Sequence, residues 1–282
     1  MSAAAKSVKV SAFAKINLDL RVLGSRPDGY HELRTTFQSV ALADVLTFTR
    51  TRGAFRITCD DPACPTGRSN LVWRAAALVW KAAGRRGAPK GVTVRIEKRV
   101  PLQAGLGGGS SDAAAALRAL PRLWRVHVRP HVLHRLASEL GADVPYFLEG
   151  GTALGLNRGD VLVPLDDIAR AWVVIVIPDF GVSTKEAFGW WDRSLRRRRA
   201  RPEVANDLEP VVARRYPIVR RLTQRLTREE ATHASLSGSG SAVFGLFASR
   251  AAAERAASAF GGHRVVLTRT LNRRECRKLA AN

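Results

Sequence analysis

With 282 residues, 46% of them hydrophobic and 25% charged, the chain reads as an ordinary soluble globular protein with room for one large or two ordinary domains. No apolar run reaches the roughly 18 residues that span a bilayer. The opening MSAAAKSVKVSAFAKINL lacks the apolar core of a signal peptide and is too short before the first strand for a transit peptide, so a cytoplasmic prokaryotic protein is expected.

The net charge of +22 invites a nucleic-acid reading, but eight lysines against 38 arginines, spread along the whole chain, point to coding bias rather than a binding stripe. The densest run, RRRRAR at 196–201, reads as a solvated loop. The positive field favours a polyanionic substrate. Cys59, Cys64 and Cys276 form no metal-ligand pattern with the six histidines, and so sparse a set fits a reducing compartment.

In chain order, AKINLDLRV is a strand with Ile16, Leu18, Leu20 and Val22 on one face and Lys15, Asn17, Asp19 and Arg21 on the other. Asp28-Gly29 supplies a turn, and strands continue through TFQSVALADVLTFTR and FRITC. NLVWRAAALVWKAAG is an amphipathic helix stopped by Gly84. GVTVRIEKRVP is a strand that carries Lys98 on its apolar side, either emerging into solvent or aimed at the glycines that follow. An alanine-rich helix, the helix HVLHRLASELG, then a turn and hairpin over ADVPYFLEGGTALGLNRGDVLVPL complete the first part. A second domain opens at about Ala171 with AWVVIVIPD. It continues with helices at Lys185 to Arg193 and Pro210 to Arg225, a strand pair around HASLSGSGSAVFGLF, a helix over SRAAAERAASAF and a closing strand, HRVVLTRTL. Strands cluster between helices without strict alternation, which predicts an α+β fold of two lobes, at 1–160 and 171–282.

The densest chemistry lies at PLQAGLGGGSSDAAAAL. Pro101, Leu102, Gln103 and Ala104 lead into Gly105, Leu106, Gly107, Gly108 and Gly109, and Ser110 and Ser111 follow. A strand, a glycine turn and a helix N-terminus make an anion site, because unpaired N–H groups and the helix dipole converge where no side chain intrudes. A tight turn alone explains Gly105 but not the three glycines after it. Either serine could cap the helix or reach a phosphate or metal. The P-loop pattern fails for want of a lysine, and the dinucleotide fingerprint fails because residue 110 is serine. SLSGSGSA does not match the hydrolase nucleophile elbow.

This loop resembles the Pro-x-x-x-Gly-Leu-Gly-Gly-Gly-Ser-Ser motif of the GHMP small-molecule kinases. FAKINLDLRVLGSRPDGYHEL, SNLVWRAA, GADVPYFLEGGTALG, GVSTKEAF, NDLEPVV and SLSGSGSAVF resemble, in this order, the branch of that family that acts on 4-diphosphocytidyl-2-C-methyl-D-erythritol. The resemblance runs over nearly the whole chain. It implies a lobe of the ribosomal protein S5 domain 2 type followed by a ferredoxin-like lobe. It also implies ATP as donor to the substrate's 2-hydroxyl, with Mg2+ present, in the non-mevalonate isoprenoid route. The partners are then small molecules, with no specific nucleic acid and no membrane, in a monomer or homodimer.

By the same resemblance, Asp143 matches the catalytic aspartate and Lys15 the active-site lysine. A neighbouring ammonium favours an orienting, charge-neutralising role for Asp143 over that of a strong base. Asn17 shares the face of Lys15 and could hold the substrate. Tyr30 and His31 match the cytidine-recognising pair, with Phe188 placed opposite and Thr184 in the same segment; the rings are stacking partners for the base or, more blandly, packing residues. Asn70 and Lys98 match positions on the adenine side. Gln103 and Asn157 depart from the family pattern, which has small residues at the first and often glycine at the second. No glutamate offers itself as a metal ligand, and Ser111 is the candidate. A homoserine or mevalonate kinase of the same family, and a basic nucleic-acid-binding module, are the competing readings; the Asp-Gly-Tyr-His segment argues against the first, and Asp143 with two glycine loops against the second.

Overall fold

The computed structural model describes residues 7–195 and 204–280, so the arginine run at 196–201 lies outside the described residues. β1 (Ser7–Ser25) and β2 (His31–Ala54) form a long antiparallel ribbon around a turn in which Gly29 takes φ +80°. β3 (Arg56–Cys59), α1 (Leu71–Ala82) and β4 (Lys90–Glu97) follow, then α2 (Gly108–Trp124), α3 (Pro130–Leu140) and α4 (Val144–Glu149), and finally β5 (Thr152–Asn157) and β6 (Val161–Pro164). β1 occupies one edge of β2, while β4 and β5 take the two halves of the other; β3 pairs with β4 and β6 with β5. The helices cover one face of this sheet. Alanines 113–116 of α2 bring that helix close against the sheet, in a core with Leu46, Phe48, Val79 and Ile96. The segment expected as a turn before the hairpin contains a helical turn instead, α4, with Pro145 where a missing N–H costs nothing.

The second sheet contains β7 (Trp172–Ile177), followed by α5 (Thr184–Leu195), α6 (Glu209–Arg215) and α7 (Ile218–Arg228), then β8 (His233–Leu236), β9 (Val243–Phe247), α8 (Arg250–Ser258) and β10 (Arg264–Arg269). Its strand order β10-β7-β9-β8, antiparallel throughout, is that of a ferredoxin-like βαββαβ unit. The single helix expected over Pro210 to Arg225 is two, because Pro217 has no N–H to continue the ladder. α9 (Arg273–Leu279) returns to the first sheet, starting from an Asn272–Glu275 capping box.

The predicted polar face of β1 is buried as well as its apolar one. Ala14 and Ile16 pack with Val173, Ile175 and Phe244 of the second sheet, while Lys15 and Asn17 are 3% and 2% exposed. Leu20 and Val22 join the second lobe's core, and Leu20 exchanges backbone hydrogen bonds with the 205–207 segment. Asp207 accepts from the Val22 N–H at 2.9 Å. Thus β1 is covered on both sides, and its polar residues lie at the junction of the two sheets. Among the described residues no helix is long and apolar enough to cross a membrane.

Candidate active site

The glycine loop connects β4 to α2, and its glycines serve different ends. Gly105 and Gly107 adopt φ of +76° and +72°, where side chains are strained. A Cβ on Gly105 would also collide with the Ser237 carbonyl, and one on Gly107 would lie 2.6 Å from the Phe147 ring. A Cβ on Gly108 would meet Val100 at 2.9 Å and Lys98 Nζ at 3.1 Å, so that residue is packed inward. Gly109 alone is exposed, with only an ordinary 3.8 Å contact to Leu71. The protein itself therefore accounts for three of the four glycines, and Gly109 is the one whose missing side chain leaves open space. Ala104 and Leu106 turn into the core, while Pro101 and Leu102 are half-buried. The positive φ of Gln103, 52°, and of Asn157, 64°, gives a physical reason for small residues at such places; Gln103 covers Gly181 and accepts from the Val182 N–H at 3.3 Å.

The serines do not cap α2. Gly107 holds the N-cap position without a side-chain bond, and Ser110 and Ser111 lie within the first turn. Ser111, 3% exposed, lines a pocket with Ser39, Phe147 and Glu149, whereas Ser110 is half-buried beside exposed Gly109. The first N–H groups of the helix have no intrahelical acceptor, and of its first residues Gly109 is the exposed one.

Beside this N-terminus, Lys15 Nζ donates to Asn17 Oδ1 at 2.6 Å and to the Gly105 carbonyl at 2.9 Å, and lies 3.4 Å from Asp143 Oδ2. Asn17 in turn donates to Thr35 Oγ1 at 2.7 Å, which fixes its amide orientation. Asp143 stands at the N-cap of α4 yet makes no capping bond, and its side chain stays 33% exposed. A buried ammonium thus faces a carboxylate that a ligand can reach. The second glycine turn closes over this pair: Ser237 Oγ donates to the Gly105 carbonyl at 3.0 Å, and a Cβ on Gly238 would come within 3.3 Å of Lys15 Nζ. Asn206 holds that turn by donating to the Leu236 and Gly238 carbonyls, both at 2.8 Å. The sequence assigns Ser237, Gly238 and Asn206 no role; the Gly-Ser spacing is the signal it carries for them.

Lys98 and Asn70, expected on the adenine side, both have partners within the protein. Lys98 is buried beneath Gly108, paired with Asp44 and, at 2.9 Å, with Asp112. It neither emerges into solvent nor enters the loop. Burial pulls its ammonium down, but Asp112 and Asp44 outweigh this and raise it. Asn70 caps α1 by accepting from the Val72 N–H at 2.8 Å and donates its amide to the Pro65 carbonyl.

Of the residues expected to recognise the base, Tyr30 and His31 lie at the β1–β2 turn, and Thr184 and Phe188 lie on α5. Tyr30 is 53% exposed, with the Arg158 guanidinium 4.9 Å above its ring. Phe188 stacks directly on His31, centroids 4.6 Å apart. Thr184 Oγ1 lies 3.1 Å from Ser239 Oγ, linking α5 to the second glycine turn.

Two lobes of this topology, with a glycine loop at a helix N-terminus and a Lys–Asp pair beside it, define a GHMP-type small-molecule kinase. Residues 70–151 match the GHMP kinases N terminal domain and residues 185–264 the GHMP kinases C terminal domain. The chain is 43% identical, over 88% of its length and 92% of the relative's, to the 4-diphosphocytidyl-2-C-methyl-D-erythritol kinase of Moorella thermoacetica. It is 40% identical, over 93% and 98%, to that of Pelotomaculum thermopropionicum. A crystal structure of a 4-(cytidine 5'-diphospho)-2C-methyl-D-erythritol kinase superposes with a TM-score of 0.77 at 36% identity, covering 93% of this chain and 98% of that one. The homoserine kinase of Cytophaga hutchinsonii, at 19% identity and a TM-score of 0.70 over 98% of both chains, shares the fold. The chain belongs to the 4-diphosphocytidyl-2-C-methyl-D-erythritol kinase family of GHMP kinases.

Proposed function

We propose that this chain transfers the γ-phosphoryl group of ATP to the 2-hydroxyl of 4-diphosphocytidyl-2-C-methyl-D-erythritol, in the non-mevalonate route to isoprenoids. The observation that carries the mechanism is the Lys15–Asp143 pair, 3.4 Å apart beside the glycine-loop helix N-terminus. Phosphates lie on the N–H groups of Gly108, Gly109 and Ser110, where the helix dipole favours negative charge. Lys15 adds a fixed positive charge at the transfer point. Asp143 accepts a hydrogen bond from the substrate hydroxyl, orients it for in-line attack, and takes its proton as the bond to phosphorus forms. An ammonium 3.4 Å away suits an orienting role for this aspartate, since a loose transition state needs positioning more than a strong base.

The residues fit Mg2+. Among the described residues no group of three or more acidic, histidine or cysteine side chains gathers into a metal cage. Magnesium instead takes one or two protein oxygens with substrate phosphates and water, and Asp143 and Ser110 are the reachable oxygens here. When bound, the ion neutralises charge on the transferring phosphoryl group.

Tyr30, His31 and Phe188 take the cytidine end, at the seam between a first lobe at 1–160 and a second at 171–282. The enzyme works in the cytoplasm as a monomer or homodimer. Incubation with ATP, Mg2+ and either 4-diphosphocytidyl-2-C-methyl-D-erythritol, homoserine or mevalonate tests the reading, with ADP release as the signal. ADP and a new phosphomonoester in 31P spectra are expected with the first acceptor alone. Turnover of homoserine or mevalonate instead, or of none, overturns it.

A further inference from the structure

His31 opens β2 in the first lobe, yet its imidazole is held by one helix of the second. Phe188 stacks on the ring face at 4.6 Å and 21°, and Trp191 meets it edge-on at 5.7 Å and 89°. Asp192 Oδ1 lies 2.8 Å from Nε2. Positions 188, 191 and 192 share a face of α5, since residues three and four apart on a helix are neighbours. One face, one edge and one nitrogen of the ring are thereby fixed, and the side chain is only 10% exposed. Among the described residues Nδ1 has no hydrogen-bond partner.

A carboxylate can only accept, so in the neutral ring the proton resides on Nε2 and Nδ1 presents a lone pair. We propose that Asp192 is a specificity-determining positioning residue. By holding His31 in the Nε2–H form, it makes Nδ1 an acceptor that matches the exocyclic 4-amino group of cytosine and repels the 4-oxo group of uracil. The inference rests on the reading that His31 faces the base of a cytidine diphosphate substrate. Asp192 itself is 44% exposed, so it acts through the tautomer it selects rather than through its field at the base.

The test compares kcat/KM for the cytidine substrate and its uridine counterpart in the wild type, Asp192→Asn, Asp192→Glu and His31→Ala. An asparagine can turn its amide to donate to Nε2, which moves the proton to Nδ1, as happens when asparagine replaces the aspartate behind a catalytic histidine. Asp192→Asn should lower the cytidine-to-uridine ratio at least tenfold with KM for ATP unchanged, and Asp192→Glu should restore part of it. In 15N spectra of the free, histidine-labelled protein at pH 8, His31 should show the Nε2–H pattern in the wild type and Nδ1–H in Asp192→Asn. A wild-type spectrum of the Nδ1–H form overturns the inference. So does a ratio unchanged in Asp192→Asn while His31→Ala abolishes it, because the aspartate is then only a tie between lobes. If His31→Ala also leaves the ratio untouched, the base-reading role of His31 falls and this inference with it.

Discussion

Lys15 and Lys98 both approach the glycine loop, one near Gly107 and the other under Gly108. Each is buried and each is paired with carboxylate, yet their partners differ in access. Asp143 keeps a third of its side chain exposed, whereas Asp44 and Asp112 keep 0% and 5%. Asp44 also accepts from the N–H groups of Arg99 and Val100, at 2.6 and 2.8 Å, and so fixes the chain where it leaves β4. A carboxylate within reach of solvent can touch a substrate; one sealed beneath the loop can only hold the loop's shape. Residue type alone does not separate the two roles. Access does.

The comparison breaks most readily at Asp143. Asp143→Asn should lower turnover by roughly 10²–10⁴ while melting temperature and affinity for a non-hydrolysable ATP analogue stay near wild type. A folded variant with normal turnover would place both pairs in the same structural class. The converse is Lys98→Met, which strands two buried carboxylates; urea titration should show a loss of about 3–5 kcal/mol, the usual effect of removing one partner from a buried pair. An unchanged midpoint would mean that the cluster does not brace the loop.

Adjacent glycines sharpen the contrast further. Gly108→Val should cost stability, about 1–3 kcal/mol, because its side chain is forced onto Val100 and Lys98. Gly109→Val should leave stability alone but weaken the ATP analogue at least tenfold, about 1.4 kcal/mol by calorimetry. The reverse pattern would put the phosphates elsewhere. At the β1–β2 turn, Tyr30→Ala should raise KM for the cytidine substrate by roughly 5- to 150-fold, since stacking on a base is worth about 1–3 kcal/mol, and leave KM for ATP unchanged. A change in ATP alone would assign that ring to adenine.

The smallest effect is a pH slope. Burial, then the like charge of Asp44, outweigh the pull of Lys98 and raise the Asp112 carboxyl from 3.8 to about 7. The folded protein therefore binds this proton more tightly than the unfolded chain does. That contribution to stability is greatest below about pH 4 and is lost as pH rises toward 7. Denaturation at pH 5 and pH 7.5 should show a larger drop for the wild type than for Asp112→Asn. Equal drops would assign the titration to another group.

Much of the site was legible in the chain, though unevenly. The glycine run before an alanine-rich stretch marks a helix start, found at Gly108, and Lys15 and Asp143, singled out by the resemblance, lie 3.4 Å apart. The strand pattern leaves Lys98 either emerging or reaching the loop, and it does neither, because its two acids come from β2 and α2, far apart in the chain. Either serine fits a cap in the sequence, but the helix begins at Gly108, ahead of both. The resemblance sets Phe188 opposite Tyr30 and His31, and nothing local in the chain shows that it stacks on His31. Asp192 lies in an ordinary amphipathic helix, where nothing local distinguishes it from a solvated charge.

The sequence by itself determined what depends on neighbours in the chain: strand alternation, the Asp28-Gly29 turn, the glycine-to-helix junction and the α+β order of elements. These follow from side-chain period and backbone freedom, which are local properties. Only the tertiary structure decided which polar groups lost their water and what met them there. Burial of β1 on both faces, the pairing of Lys98, the closure of the second glycine turn over Lys15 and the grip of α5 on His31 all join segments distant in sequence. Desolvation and ion pairing depend on everything that packs around a group, and no stretch of the chain carries that sum.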